Sequence, residues 1–473
     1  MEDDIKEKIN IIIEKSKDPY IYSNIMEDFF KYEIEIPSKT IDALNILPKL
    51  NKKQIENNIK KNIKTIISYI KNQIQSTNEA YQVLSCIYGS FLGDAMGSFC
   101  EFQKPSRVNY KYIFNSQNNV IGGIKGQVTD DSEMAMSLAY AIMDNPEKEN
   151  LDINYIYFYY GAWYKSGPLD IGTTTKKSLK PFDFSKFLPE LKNFESVSEL
   201  ILTQNYNSLS NGFLMRKSTF IAWLYYRFFK EINDALTPID SNQNLVNLYI
   251  KIKDLSNIDN RCTNPNFEAD VVSSFYCIMA LAAIKGYKAR NIVEKISCLC
   301  KDNYFKNKKD EEKKIADYIL YLIETFKDIK FNFEFFFGDK NSPNFVYQRS
   351  GYYCHAFELT LYYLIYFDII EEKDKFKFII SQICNLGGDT DTNACIVGEV
   401  IGPLIGFSNF TDFDKIINII PPHRAVYSIA LMYLYVRYLK LSNRNNELIK
   451  NNRYFLKTIL ELLYSEVEIE YYS

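Results

Sequence analysis

Small residues recur at every fourth position in two segments of this chain, and this spacing limits how the chain can fold. The two stripes are Gly89, Gly93 and Gly97 in the first segment and Ala394, Gly398, Gly402 and Gly406 in the second. Positions four residues apart lie on one face of an α-helix, and a face without side chains lets another backbone approach closely. We therefore predict that both segments are helices buried at the centre of a helical bundle.

The rest of the chain also favours helices. All 18 glycines of the 473 residues lie between Gly89 and Gly406, and apolar residues mostly recur at three-residue and four-residue steps. Isoleucines at this spacing between Ile55 and Ile74 predict one further helix near the N-terminus. The other predicted helices lie at about 79–97, 132–143, 150–165, 213–231, 268–285, 311–329, 353–367, 393–406 and 424–441.

Charge and cysteine content exclude several classes of protein. The 56 basic and 59 acidic residues give a net charge of −3, so we expect no nucleic-acid partner and no attraction to an anionic membrane. No uninterrupted apolar run approaches the roughly 18 residues that a membrane-spanning helix needs. Nine cysteines without a C-x-x-C pair indicate reduced thiols. We predict a soluble, intracellular, cytoplasmic protein.

Histidine is the residue type that most restricts the catalytic chemistry. His355 and His423 are the only two in the sequence. A histidine-rich zinc site is therefore nearly excluded, and a Ser-His-Asp or Cys-His catalytic pair is improbable. If the protein is an enzyme, carboxylates and hard metal ions must carry its chemistry.

Two acidic clusters are candidates for that chemistry. The first is Thr129-Asp130-Asp131, and the second contains Asp389, Asp391 and Thr392 in the sequence LGGDTDTN. Both stand at predicted helix starts. Buried like charges raise each other's pKa unless a cation neutralises them, and ligand sets made only of oxygen suit Mg²⁺ or Mn²⁺. If the fold unites the clusters, they could hold one or two metal ions and a water nucleophile.

Competing motifs fit the second cluster less well. An EF-hand loop would need glycine and glutamate where Ala394 and Val400 stand. The Asp389-x-Asp391 spacing also resembles the nucleophile loop of aspartate-based phosphatases, which follows a buried strand; Phe378 to Cys384 is the candidate strand. Neither a P-loop nor a dinucleotide-binding glycine motif occurs.

Seven blocks in the correct order resemble the ADP-ribosylglycohydrolase family, whose enzymes remove ADP-ribose from modified proteins. The blocks are Tyr88 to Phe102, Gly126 to Ala139, Trp163 to Leu179, Ser210 to Arg216, Cys262 to Ala269, Gly351 to Leu364 and Asn385 to Gly406. The resemblance implies an all-α protein, a compact orthogonal multi-helix bundle with an added N-terminal helical segment. We predict an N-terminal helical extension at 1–80, a catalytic domain at 81–441 and a C-terminal helical tail at 442–473.

The resemblance also implies a dinuclear magnesium site. By carry-over, Thr129, Asp130 and Asp131 match the first set of metal ligands, and Asp389, Asp391 and Thr392 match the second. The implied reaction is hydrolysis of the glycosidic bond of ADP-ribose, with Asp130, Asp131 or Glu101 transferring the proton. The implied partner is an ADP-ribosylated protein or another ADP-ribose conjugate, and we expect a monomer.

Further positions match loops that receive the substrate. The backbone amides of Gly172, Thr173, Asn211 and Gly212 are predicted to donate to phosphate oxygens. Arg216 either contacts substrate or forms a structural ion pair.

One position departs from the family. Many members have Ser-His or Thr-His where this chain has Thr263 and Asn264, and asparagine cannot carry a proton. Asn264 is thus a predicted substrate-binding residue whose identity leaves a second hypothesis open, namely ADP-ribose binding without turnover. His355 lies in a different matching block, Gly351 to Leu364, and we do not expect it to replace the missing histidine. The linkage of the target, whether to arginine, serine, a polymer or a nucleic-acid end, stays open.

Overall fold

The structure is a computed structural model. It describes residues 78–106, 128–145, 150–165, 167–183, 186–187, 189–237, 242–308, 310–329, 331–337 and 350–406. The predicted helix at Ile55–Ile74, the predicted helix at 424–441 and the predicted C-terminal tail lie outside the described residues.

Within these ranges the chain forms α-helices joined by short turns and 3₁₀ segments. In chain order they are α1 Asn78–Gly97, α2 Asp130–Asp144, α3 Ile153–Lys165, α4 Thr173–Leu179, α5 Glu195–Asn205, α6 Lys217–Arg227, α7 Phe229–Leu236, α8 Asn242–Asn260, α9 Phe267–Ile284, α10 Ala289–Cys300, α11 Asn303–Lys306, α12 Glu311–Asp328, α13 Tyr353–Tyr366, α14 Lys375–Leu386 and α15 Thr390–Ile405. No strand occurs among the described residues; one isolated bridge joins Ser210 to Tyr352. The all-α prediction is confirmed.

Several sequence predictions are refined. The helix predicted at 213–231 is two helices, because the chain bends at Phe228 between α6 and α7. The helix predicted at 393–406 starts earlier, at Thr390. The candidate strand from Phe378 to Cys384 is part of α14, so the phosphatase interpretation, which needs a strand there, is wrong.

The two small-residue stripes face each other in the antiparallel pair α1 and α15. A Cβ atom built on Gly89 would lie 2.1 Å from the carbonyl oxygen of Gly398, and one on Gly97 would lie 2.3 Å from that of Thr390. Only glycine permits this approach. The prediction of two closely packed helices is confirmed, except at Gly406, which follows the end of α15 with φ of 79° and has no atom near its Cβ position.

The other central element is α9, which is buried on nearly all sides by helices from both halves of the chain. By length and composition, residues 81–100 and 267–284 would also suit a membrane-spanning helix. Within the most apolar 18 residues of each span, 94% and 89% are buried. Burial of this extent is what the core helices of a globular bundle show.

Candidate functional site

The acidic site forms where the end of α1 meets the start of α15. The hydroxyl of Thr390 donates to the carbonyl oxygen of Gly97 over 2.7 Å. The loop before α15 contains Gly388 at φ of 75°, a conformation that favours glycine. Its carbonyl oxygen accepts a 2.7 Å hydrogen bond from the backbone N–H of Phe102. These bonds hold Glu101 beside the first turn of α15.

Asp94 on α1 fixes the start of α2. Its carboxylate accepts hydrogen bonds from the backbone N–H groups of Thr129 and Ser132, at 3.0 and 3.1 Å, and from the hydroxyl of Ser132, and it shares the hydroxyl of Thr129 with Asp131. Thr129 precedes α2 but makes no side-chain cap of its own, so Asp94 supplies the acceptor that a helix start needs. Burial raises the pKa of Asp94 to about 6, although these hydrogen bonds oppose the shift.

The two acidic clusters meet at Asp131, as the sequence analysis required. Oδ2 of Asp131 accepts a 2.7 Å hydrogen bond from the hydroxyl of Thr129 and a 3.4 Å hydrogen bond from that of Thr392. The carboxylates form two groups of three. In each group, one oxygen of every residue lies within 4.8 Å of one oxygen of the other two. The first group is Asp94, Asp131 and Asp391, and the second is Glu101, Asp170 and Asp391. Asp391 therefore links both sets.

Asp130 and Asp389 lie at the edge of this cluster, where loops from elsewhere in the chain hold them. Oδ2 of Asp130 accepts from the backbone N–H of Gly172 over 3.2 Å. Oδ2 of Asp389, which is half-buried, accepts from Nδ2 of Asn211 over 2.7 Å. A Cβ atom on Gly351 would lie 3.6 Å from the same oxygen, so backbone also packs closely there.

The site strongly disfavours ionised carboxylates when it holds no cation. Burial raises the pKa of Asp131 and Asp391, and neighbouring carboxylates raise it further. The pKa of Asp130 is raised in the same way, with Asp170 as the main neighbour. Burial, followed by Asp170 and Asp389, raises the pKa of Glu101 to about 9. Clustered acids with raised pKa values are typical of functional sites.

These residues fit a hard divalent cation. Oε2 of Glu101 and Oδ1 of Asp131 are buried without a hydrogen-bond partner, which is costly unless another group binds them. Both carboxylate sets described above contain oxygen donors only, the ligand type that Mg²⁺ and Mn²⁺ prefer. A cation would therefore relieve both the orphaned oxygens and the mutual repulsion.

Comparison with known proteins identifies the family. The model of the ADP-ribosylglycohydrolase family matches residues 76–413. The chain belongs to this family. An Acanthamoeba polyphaga mimivirus protein named as an ADP-ribosyl glycohydrolase is 27% identical over 336 residues, covering 68% of this chain and 86% of that protein. The ADP-ribosyl-dinitrogen reductase glycohydrolase of Rhodospirillum rubrum is 28% identical over 104 residues, covering 21% of this chain and 34% of that enzyme.

A solved structure titled ADP-ribosylglycohydrolase-related protein complex shares the fold, with a TM-score of 0.50 and 15% identity over 77% of this chain and 99% of that one. The predicted family and fold class are thus confirmed. Membership in the ADP-ribosylglycohydrolase family supports hydrolysis of ADP-ribose conjugates as the activity. The family is generally metal-dependent, in agreement with the acidic cluster.

Sequence reasoning missed two acids of this ADP-ribosylglycohydrolase site. Asp94 and Asp170 both stand in blocks that carry the family resemblance, but each is a single acid among apolar and glycine residues. Asp94 is fully buried, whereas Asp170 is half-buried in the loop between α3 and α4. The glycine stripe of α1 is a signal for Asp94, since an acid between Gly93 and Gly97 lies near the start of α15.

Two predicted phosphate donors are already engaged. The amide of Gly172 donates to Asp130, and the amide of Asn211 donates to the carbonyl oxygen of Gly351 over 2.9 Å. In this conformation neither amide is free to donate to a phosphate oxygen, and the phosphate-binding role of both stays a prediction. Thr173 is exposed beside the site, whereas Gly212 is buried below it. The loops that contain Gly172 and Asn211 do lie beside the acidic cluster, as predicted. In this conformation the Gly172 amide and the Asn211 side chain bind the carboxylates of Asp130 and Asp389.

Arg216 and Asn264 are both fully buried. Arg216 pairs with Asp259 over 3.1 Å, so the structural alternative is the one that the geometry supports. Asn264 donates through Nδ2 to Oγ of Ser210 over 3.0 Å and does not reach the surface. Tertiary packing thus places both side chains below the acidic cluster in this conformation, and a direct contact with substrate stays a prediction.

Proposed function

We propose that this protein is a metal-dependent hydrolase that cleaves the glycosidic bond between ADP-ribose and a modified protein side chain. The meeting of the Thr129–Asp131 cluster with the Asp389–Thr392 cluster carries the proposal. Membership in the ADP-ribosylglycohydrolase family supports it. One of its relatives is named for the removal of ADP-ribose from dinitrogen reductase, which agrees with a modified protein as substrate.

The cofactor that we propose is a pair of Mg²⁺ ions, for which Mn²⁺ can substitute. The residues that would hold them are Thr129, Asp130, Asp131, Asp389, Asp391 and Thr392. When bound, such ions would help to orient the hydroxyls of the ribose and would lower the pKa of a bound water. The orphaned oxygens of Glu101 and Asp131 support the proposal, since each can accept a bond that the protein does not supply.

The chain's own residues hold this arrangement in place before substrate arrives. Asp94 fixes the first turn of α2 through four hydrogen bonds, and this orients Asp131. The amide of Gly172 fixes Asp130, and Asn211 fixes Asp389. Carboxylates that such neighbours hold in place need not move when a cation or substrate binds. Residues around the ligands raise metal affinity and catalytic rate in this way.

Cleavage requires a proton to leave the attacking water and a proton to reach the departing side-chain atom. Glu101 is the best candidate for this transfer, because its Oε2 atom has no protein partner and it lies beside Asp391. Asp170, which is half-buried, completes the same group of carboxylates. Asp130 and Asp131 belong to the proposed metal ligands, and Oδ1 of Asp131 is free to bind a cation, so both then act mainly in holding the ions.

A linkage-resolved assay tests this function. The full chain is incubated with Mg²⁺ and with substrates in which ADP-ribose is attached to arginine, serine, a polymer or a nucleic-acid end, and free ADP-ribose is measured. We expect release from at least one linkage. Glu101→Gln should slow it by about 10²–10⁴-fold, the usual contribution of proton transfer, whereas the exposed Glu311→Gln should not. No release from any linkage would reject the proposal.

A second function is ADP-ribose binding without turnover. It is motivated by Asn264, which stands where many family members have a histidine and cannot transfer a proton. Calorimetric binding of ADP-ribose together with the absence of release from every linkage would favour it. Turnover on any one linkage would exclude it.

A further inference from the structure

We propose that a buried relay of four polar residues positions the Asp389 carboxylate from one layer below the site. The buried relay is Asp259, Arg216, Thr263 and Asn264, each of them 0% exposed. It ends on the segment Ser210–Gly212. The inference rests on the proposed metal site, in which Asp389 is a ligand, and on the proposed activity only for its turnover measurement; its metal-binding measurement is independent of turnover.

The relay begins with an ion pair between α8 and the start of α6. Nε of Arg216 donates to Oδ1 of Asp259 over 3.1 Å, and a second nitrogen donates to the backbone oxygen of Asp259 over 3.2 Å. Lys217 and Tyr160 also donate to the Asp259 carboxylate, at 2.6 and 2.8 Å. Surrounding cations hold the pKa of Asp259 below its ordinary value despite burial. Arg216 is therefore fixed in one orientation.

From Arg216 the relay divides. Its Nη1 atom donates to the carbonyl oxygen of Gly212 over 3.0 Å and to the hydroxyl of Thr263 over 2.8 Å. The guanidinium also lies 4.8 Å from the ring centre of Tyr160, a cation–π distance. One buried side chain thus holds the backbone of the segment directly and the next member of the relay indirectly.

Thr263 and Asn264 complete the connection. The hydroxyl of Thr263 accepts from Arg216 and donates to Oδ1 of Asn264 over 2.9 Å. Nδ2 of Asn264 then donates to Oγ and to the backbone oxygen of Ser210, at 3.0 and 3.3 Å. Asparagine suits this place because its amide accepts at one end and donates at the other. The segment is therefore held at both Ser210 and Gly212.

Between these two fixed residues lies Asn211, which connects the relay to the site. Its backbone N–H donates to the carbonyl oxygen of Gly351 over 2.9 Å, and its Nδ2 atom donates to Oδ2 of Asp389 over 2.7 Å. A shift of the segment would move this donor away from the carboxylate. Since groups that support a ligating carboxylate affect metal affinity, the relay should act on cation binding at a distance.

Thr263→Val tests the relay with little change in side-chain shape. It removes the hydroxyl that joins Arg216 to Asn264, while Thr263→Ser keeps that hydroxyl. The control is Thr360→Val, which removes another fully buried threonine hydroxyl, one that donates to the carbonyl oxygen of Ala356 in α13. For each full-length variant, the dissociation constant for Mn²⁺ is measured by electron paramagnetic resonance, together with Tm, kcat and KM.

We expect Thr263→Val to weaken Mn²⁺ binding by roughly tenfold and to lower kcat more than it raises KM, as supporting groups around metal ligands do. Thr263→Ser should restore both, and Thr360→Val should affect Tm alone. If Thr263→Val fails to fold, Ser210→Ala removes the half-buried hydroxyl that accepts from Asn264 and should weaken Mn²⁺ binding severalfold.

A purely structural role gives a different pattern. Thr263→Val, or Ser210→Ala in its place, would then lower Tm and leave the Mn²⁺ dissociation constant and kcat at the values of the unmodified protein, which would overturn the proposal. Failure of Thr263→Ser to restore Mn²⁺ binding would also overturn it. If no substrate is turned over, the Mn²⁺ measurement still decides the relay while the proposed function alone fails.

Discussion

Gly89 and Gly398 leave no room for a side chain on either of them. A Cβ atom on Gly89 would lie 2.1 Å from the carbonyl oxygen of Gly398, and a Cβ atom on Gly398 would lie 2.2 Å from that of Gly89. Because the helices are antiparallel, the same packing brings Gly97 against Thr390 at the acidic site. The contact that forms the centre of the bundle therefore also places Asp94, which holds the start of α2, beside the acidic start of α15.

Gly89→Ala should destabilise the protein much more than an alanine at an open glycine. The added methyl group meets backbone, which can yield only if the two helices separate, so we expect a loss of about 3 kcal/mol or more in the free energy of unfolding. Gly286→Ala is the comparison, because nothing lies within 4 Å of its Cβ position and only its φ of 84° is unfavourable. That conformation should cost about 1–2 kcal/mol.

Denaturant unfolding of both variants gives the comparison directly. Equal losses at Gly89 and Gly286 would contradict the close packing of α1 on α15.

The metal-free protein should lose stability as the pH rises. The pKa of Glu101 is raised from its ordinary 4.5 to about 9 in the folded protein. Between these values the folded state keeps a proton that the unfolded state has lost, so the free energy of unfolding falls with rising pH. The stabilising contribution is complete below about pH 4.5. The raised pKa values of Asp131 and Asp391 act in the same direction.

Thermal unfolding in the presence of a chelator, across the range from pH 5 to pH 9, measures this slope, and Glu101→Gln should flatten it. Addition of Mg²⁺ should raise Tm more at pH 8 than at pH 6, because the cation binds ionised carboxylates and releases their protons. A Tm gain from Mg²⁺ that does not change with pH would contradict the described electrostatics.

Asp94→Asn should weaken cation binding although Asp94 is largely occupied by protein donors. The new amide group would face the N–H groups of Thr129 or Ser132, so the first turn of α2 should shift. We expect roughly a tenfold to hundredfold loss in Mn²⁺ affinity, as for other groups that orient metal ligands. Asp310→Asn is the control, because Asp310 also caps a helix but lies outside the site. Similar Mn²⁺ affinities in both variants would show that Asp94 does not orient Asp131.

Local patterns in the sequence predicted a large part of this structure. Four-residue glycine spacing predicted the α1–α15 pair, and acidic helix starts predicted Asp131 and Asp391, because such signals depend only on helix geometry and on the cost of clustered charges. Gly406 fits the same spacing but ends the helix, since spacing alone does not say where the partner helix stops.

Tertiary packing set the features that sequence reasoning missed. Asp94 is an isolated acid in the sequence, and only the crossing of α1 over the start of α2 gives it four donors. The burial of Arg216 and Asn264 depends on Asp259 and Ser210, which come from other segments. The predicted domain boundaries, the monomeric state and the cytoplasmic location stay predictions.

Release of ADP-ribose as a function of Mg²⁺, compared between the unmodified chain and Asp391→Asn, tests the central claim most directly. Asp391 belongs to both groups of clustered carboxylates, so its loss should disable both. We predict that a chelator abolishes the release of ADP-ribose and that Mg²⁺ restores it. The rate of release in Asp391→Asn should be lower by at least about a hundredfold, the loss seen when a group that stabilises a transition state is removed. Release that withstands both chelator and Asp391→Asn would contradict a metal-dependent reaction at this site.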